Sequence, residues 1–123
     1  MKLKLVSIEK DGIVRVAADG NITTADFHGN ADNPLQQVLG ANWFTTRCLL
    51  DLGQTDYIDS SAIGWLIGSQ KAFKQGGGAL VVHSVQPSVK QILDLLKIER
   101  VVPICADEAQ ARATLATATG ATR

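Results

Sequence analysis

Asp59, Ser60 and Ser61 place one carboxylate and two hydroxyls directly before a stretch of helical periodicity. Side chains of this kind accept hydrogen bonds from the first free amides of a helix, so Asp59 or Ser60 can cap it. A hydroxyl at a helix start is also a favourable place for a phosphate, because free amides and the helix dipole stabilise added negative charge there. A phosphoryl group of about −1.5 to −2 at neutral pH would sit beside Asp59 and repel an acidic or apolar partner surface. Modification at this point would then switch binding without unfolding the domain. A plain helix cap is the competing reading of the same three residues.

Other groups offer less. Metal sites need several converging ligands, and neither His28 nor His83 has a cysteine, histidine or carboxylate at a recognised ligand spacing. A hydrolytic triad would have to combine Ser60 or Ser61 with one of these histidines, and no nucleophile-elbow pattern supports it. The Gly76-Gly77-Gly78 triplet closes a helical stretch and leads into a strand-like one, the reverse of a phosphate-cradling loop, so it reads as a helix stop and turn. Cys48 and Cys105 lie in apolar surroundings and read as buried, reduced thiols. Trp43, Phe44, Tyr57 and Phe73 read as core. Trp65 stands apart: Ile63, Leu66, Ile67 and Phe73 already supply its helix with an apolar stripe, so a partly buried indole suits a partner contact.

The elements that must position these residues follow from periodicity. Residues 2–8 alternate, with Leu3 and Leu5 on one face, and Asp11-Gly12 suits a hairpin turn into a second strand at 13–17. Residues 20–33 form a polar loop with room for a helical turn. A short helix follows from Pro34 through Leu35, Val38 and Leu39 to a stop at Gly40. The unbroken apolar run 48–52 predicts a central strand covered on both faces. The longest helix spans 62–75, and residues 79–82 form another buried strand. Pro87 opens a helix whose Val89, Ile92, Leu93 and Leu96 share a face, with Lys90 and Asp94 paired outside. Residues 101–104 give an edge strand limited by Pro103, and Asp107 caps a last helix to about Leu115. The pattern predicts one α/β domain over 1–117, a mixed sheet of 4–5 strands opening with an antiparallel hairpin and packed against about four helices, and a frayed tail at 118–123.

Composition narrows the function classes. The chain of 123 residues carries 12 basic and 12 acidic side chains, so no basic stripe calls for nucleic acid or an anionic membrane. No apolar run approaches the ~18 residues of a membrane span, and the alternating start is unlike a signal peptide. The expectation is a cytoplasmic protein that binds proteins, with no cofactor, no metal and no catalysis of its own.

The run Leu-Leu-Asp-Leu-Gly-Gln-Thr-Asp-Tyr-Ile-Asp-Ser-Ser-Ala-Ile-Gly-Trp-Leu, residues 49–66, resembles the signature of the STAS family, which includes the anti-sigma-factor antagonists. Residues 71–78 and the Gln-Pro-Ser-Val run from Gln86 extend the likeness, and Gly20-Asn21-Ile22-Thr23 falls where the family has Gly-Glu-Leu/Ile-Asp. The resemblance implies phosphorylation of Ser60, with Ser61 as second choice and Asp59 in support. It implies a partner surface of Asn21, Thr23, Asp59, Ser61, Ala62 and Trp65. It also implies an anti-sigma factor that is itself a serine kinase and holds the ATP, a resetting serine phosphatase, and a monomer or weak dimer. Ala62 replaces a family glycine, and Asn21 and Thr23 replace two family carboxylates. The alternative within the same resemblance is a non-switching subunit of a lipid-transport or signalling assembly.

Overall fold

β3 (Arg47–Gln54) is the strand on which the molecule is built, because its residues alternate between two buried faces. The computed structural model describes residues 1–27 and 33–120. On one face Cys48, Leu50 and Leu52 join Val14, Val16 and Ala18 of β2 (Ile13–Asp19) and Leu80 and Val82 of β4 (Ala79–His83). On the other, Leu49 meets Ile13 and Val81. The sheet has five strands in the order β1-β2-β3-β4-β5. β1 (Lys2–Ile8) is antiparallel to β2, and the remaining pairs are parallel, as the expected hairpin and crossovers require.

Helices α1 (Pro34–Leu39), α2 (Ser60–Gly76) and α3 (Pro87–Leu95) cover the first face through Leu35, Leu66, Phe73, Val89 and Leu93. α4 (Glu108–Gly120) covers the second through Ala111 and Leu115. A chain of alternating charges ties α4 back to the hairpin. Arg112 grips both carboxylate oxygens of Glu9 at 2.7 Å and meets Glu108 at 2.9 Å, and Arg15 meets Glu108 at 3.0 Å. The Arg112 hydrogen bonds hold the Glu9 carboxyl below its ordinary range.

The glycine triplet is a turn, for more than one physical reason. Gly77 has φ of 88°, the left-handed conformation that favours glycine at a helix end. A Cβ on Gly76 or Gly78 would run into Phe44 and, at Gly78, into the Thr46 carbonyl as well. That close approach lets Trp43 pack edge-on against Phe73 at 5.2 Å.

Several expectations need correction. Leu5 pairs with Val16 and shares the face of Leu3, but on the edge strand it stays 37% exposed, so of the two leucines only Leu3 packs against the core. α3 stops at Leu95, which leaves Leu96 exposed instead of on the apolar stripe. The last strand is only β5 (Ile104–Cys105), since the chain turns through Val101 and Val102 before it pairs. α4 continues past Leu115 to Gly120 on alanine and threonine, and residues 121–123 of the expected frayed tail lie outside the described residues.

The glycines of α2 and of the turn after it give a test with opposite signs. Gly64 and Gly68 have nothing within 4 Å of an added Cβ. Gly64→Ala and Gly68→Ala are each expected to stabilise the protein by about 0.8–1 kcal/mol. Gly78→Ala should destabilise it by about 1–3 kcal/mol through overpacking. Urea unfolding of the three variants reads all three signs.

Candidate functional site

The site begins where β3 ends. Ile22, just after β2, forms a parallel bridge with Ile58: its N–H donates to the Tyr57 carbonyl at 3.1 Å, and its carbonyl accepts from Asp59 N–H at 3.2 Å. This two-residue extension of the sheet brings the 21–26 loop against the start of α2.

Asp59 then does the joining. Its Oδ1 accepts from the N–H groups of Ser61 at 2.9 Å and Ala62 at 3.1 Å. Its Oδ2 accepts from the N–H of Thr24 at 2.8 Å and the Thr24 hydroxyl at 3.1 Å. Partial burial works against the charge, but these bonds outweigh it and hold the Asp59 carboxyl below its ordinary range. Of the two capping candidates, Asp59 is the cap.

The two serines differ. Ser61 is half-buried, its Oγ 2.8 Å from Thr24 Oγ1. Ser60 is the first residue of α2, exposed, and its hydroxyl has no hydrogen-bond partner among the described residues. Asn21 is exposed and Thr23 half-buried on the same loop. Thr23 N–H donates to Asp26 Oδ2 at 2.8 Å, so a carboxylate stands near Asp59 although positions 21 and 23 carry none.

Two expected contact residues are not on the surface. Ala62 is fully buried and contributes through its N–H. Trp65 is 8% exposed, which corrects the expectation of a partly buried indole. Its ring packs 5.8 Å from Phe27, and its Nε1 donates to Asn33 Oδ1 at 2.9 Å. Asn33 also caps α1 by accepting from Leu35 N–H and donates to Ser69 Oγ at 2.8 Å. Trp65 therefore fixes the α1 entry to α2.

Thr24, Asp26, Gly64 and Gly68 belong to the neighbourhood and were missed from sequence, as was the place of Tyr57 beside them. Tyr57 is 51% exposed, which corrects its reading as core: it lies in the loop between β3 and α2. Gly64 and Gly68 are exposed and follow Ser60 at helical steps of four, a spacing legible in the sequence. The distances from Thr24 and Asp26 to Asp59 follow from the Ile22–Ile58 bridge, which no local pattern announces.

The remaining candidates lie elsewhere. His83 pairs in register with Asp51, on the sheet face that α4 covers, so the sheet stands between it and both serines. Burial lowers its pKa, against the opposing pull of Asp51, and its Nδ1 lies 2.7 Å from Ser84 Oγ. His28 lies outside the described residues. Both cysteines are free thiols, and burial pushes Cys48 up to about 12 while Cys105 is half-buried. Among the described residues no group of three or more His, Cys, Asp or Glu side chains is arranged to hold a metal ion, and no helix is long and apolar enough to cross a membrane.

The family model of the STAS domain matches residues 4–111. An anti-sigma F factor antagonist of Paenibacillus polymyxa is 33% identical over 63 residues, 51% of this chain; the match spans about half of that relative, 54% of its length. The proposed anti-sigma factor antagonist BtrV of Bordetella bronchiseptica is 27% identical over 118 residues, 94% of this chain and 97% of BtrV. An anti-sigma-factor antagonist (STAS) domain protein of Planctomyces limnophilus shares the fold at TM-score 0.62 and 18% identity, over 92% of this chain and 98% of that one. The antagonist SpoIIAA in its unphosphorylated form does so at TM-score 0.60 and 16% identity, over 93% and 94%.

The Asp59 bonds predict a pH dependence. A carboxyl held low in the folded state contributes stability that is present above its unfolded value of about 3.9 and lost as pH falls through the folded value. Asp59→Asn should therefore lower the melting temperature at pH 7, and the gap to the parent should close as the pH drops below about 3.9. Melting curves from pH 7 to pH 2 check this; a gap that stays constant would show that the charge contributes nothing.

Proposed function

The chain belongs to the STAS domain family, and on that premise we propose that it is an anti-sigma-factor antagonist controlled by phosphorylation of Ser60. In this reading the unphosphorylated protein binds an anti-sigma factor that is also a serine kinase, and so releases the sigma factor. Transfer of a phosphoryl group to Ser60 breaks the complex, and a serine phosphatase restores it.

The observation that carries the reading is the contrast between the two hydroxyls. Ser60 is exposed and its hydroxyl has no partner among the described residues, while Ser61 is committed to Thr24. Only Ser60 can enter a kinase site without breaking a bond of the fold.

The charge around Ser60 supports such a switch. Asp59 already takes the N–H groups of Ser61 and Ala62, so a phosphate on Ser60 cannot be neutralised by them. An added charge of about −1.5 to −2 would stand beside the ionised Asp59 carboxylate. The surface around it includes Asn21, Tyr57, Gly64 and Gly68, where the glycines allow a partner to approach the helix closely. Thr23, Asp59 and Ser61 shape this surface from just beneath it. Ala62 and Trp65 support it from the core.

With the cognate anti-sigma factor and ATP, peptide mass spectrometry should find one phosphoryl group on Ser60. Ser60→Ala should abolish the modification and Ser61→Ala should retain it. Ser60→Asp should weaken binding to the anti-sigma factor by at least about tenfold, about 1.4 kcal/mol. If both serines stay unmodified and Ser60→Asp binds as the parent does, the switch is absent and a permanently assembled STAS subunit is the better account.

A further inference from the structure

The turn between α3 and β5 is held from beneath and bare above. Ile98 is buried, Arg100 N–H donates to the Lys97 carbonyl, and Val101 N–H donates to the Ile98 carbonyl. Gln70 Nε2 of α2 donates to the Val101 carbonyl at 3.3 Å, which fixes the turn against that helix. On this anchored stretch Leu95 is 78% exposed, Leu96 53% and Val101 41%. Exposed aliphatic side chains scattered singly are ordinary, but these stand together on one folded turn and form a patch.

Cations surround the patch. Lys97 and Arg100 belong to the same turn, and Lys71 and Lys74 lie on the flank of α2 that carries Gln70. Each of them is exposed and without an ion pair among the described residues. Lys74 also lines a cavity together with Pro103, just past the turn. Two acids stand among them: Asp94, which Lys90 meets at 2.9 Å, and Glu99. The even charge balance of the whole chain conceals a local excess of positive charge at this corner.

We propose that this corner docks an acidic protein segment with an apolar face. Aliphatic side chains of the segment cover Leu95, Leu96 and Val101, and its carboxylates pair with Lys97, Arg100 and the two lysines of α2. A lipid surface fits less well, because a continuous layer of anionic headgroups would also press against Glu99. A protein segment can leave that position unopposed. The dock is separate from Ser60. Ser88, near the start of α3, donates to the Asp56 carbonyl at 2.9 Å, and Leu95 lies about 10 Å further along that helix. Ser60→Asp therefore leaves the dock intact.

The probe is the peptide acetyl-ELAELLEELAEE-amide, whose leucines line one face of a helix and whose other face is acidic. It is added to the full-length protein labelled with nitrogen-15. It should shift the amide signals of residues 95–101, Lys71 and Lys74, and leave those of Asp59 and Ser60 in place. The same peptide with lysine at every glutamate should bind at least about tenfold more weakly. Leu95→Ser should weaken binding about fivefold with the melting temperature unchanged, since that side chain is exposed. Arg100→Gln should weaken it about threefold. The proposal is overturned by the lack of shifts at millimolar peptide, by equal binding of the lysine peptide, or by full binding of Leu95→Ser. Phosphatidylglycerol vesicles that shift these signals where the peptide does not would overturn it in favour of a lipid surface.

Discussion

Both oxygens of the Asp59 carboxylate are fully engaged, and the site depends on that. One oxygen closes the first turn of α2, and the other holds the loop after β2 through Thr24. A helix start is short of acceptors for its amides, and a loop is short of anything to hold it in place. One residue answers both needs because the Ile22–Ile58 bridge has already brought the two segments within reach. The same commitment decides what the serines can do. Asp59 takes the amides that would otherwise receive a phosphate, and Thr24 takes the Ser61 hydroxyl, which leaves Ser60 without a partner among the described residues.

The helix behind that carboxylate is clamped along its length. Phe73 and the glycine turn fix its far end against the 43–46 segment, and Trp65 ties its middle to the entry of α1. Under the proposed function, a charge added at Ser60 would act from this packed support as local repulsion on a docked partner. This suits a binding switch that works without a change of fold. α2 has 17 residues, a length of about 25 Å, so its two ends present separate surfaces.

The opposite sheet face has its own logic. α4 has little large apolar surface, with Ala111 and Leu115 its buried contacts on Ile13, Leu49 and Val81. The Arg15, Glu9, Arg112 and Glu108 chain adds orientation to that modest packing, linking α4 to the hairpin more than a hundred residues earlier. Each pair is partly solvent-exposed, so its contribution is as much to register as to stability.

Much of this was legible in the residues themselves. Periodicity marked both hairpin strands, the doubly buried β3, and α2 and α3, because burial imposes a repeat that sequence must carry. Asp-Ser-Ser before an apolar helix announced a cap, and the surrounding motif pointed to the family. The misjudged positions have a common cause. Leu5, Leu96, Tyr57 and Trp65 fit their local patterns, yet a place on the edge strand, a helix end, a loop and the contacts with Phe27 and Asn33 decided their exposure. Sequence alone determined the elements and the chemical types at the site, since those depend on neighbours along the chain. Which hydroxyl is engaged, which oxygen holds the neighbouring loop, and where a buried side-chain amide donates depend on residues 35 or 31 positions apart, and only the tertiary structure brings those together.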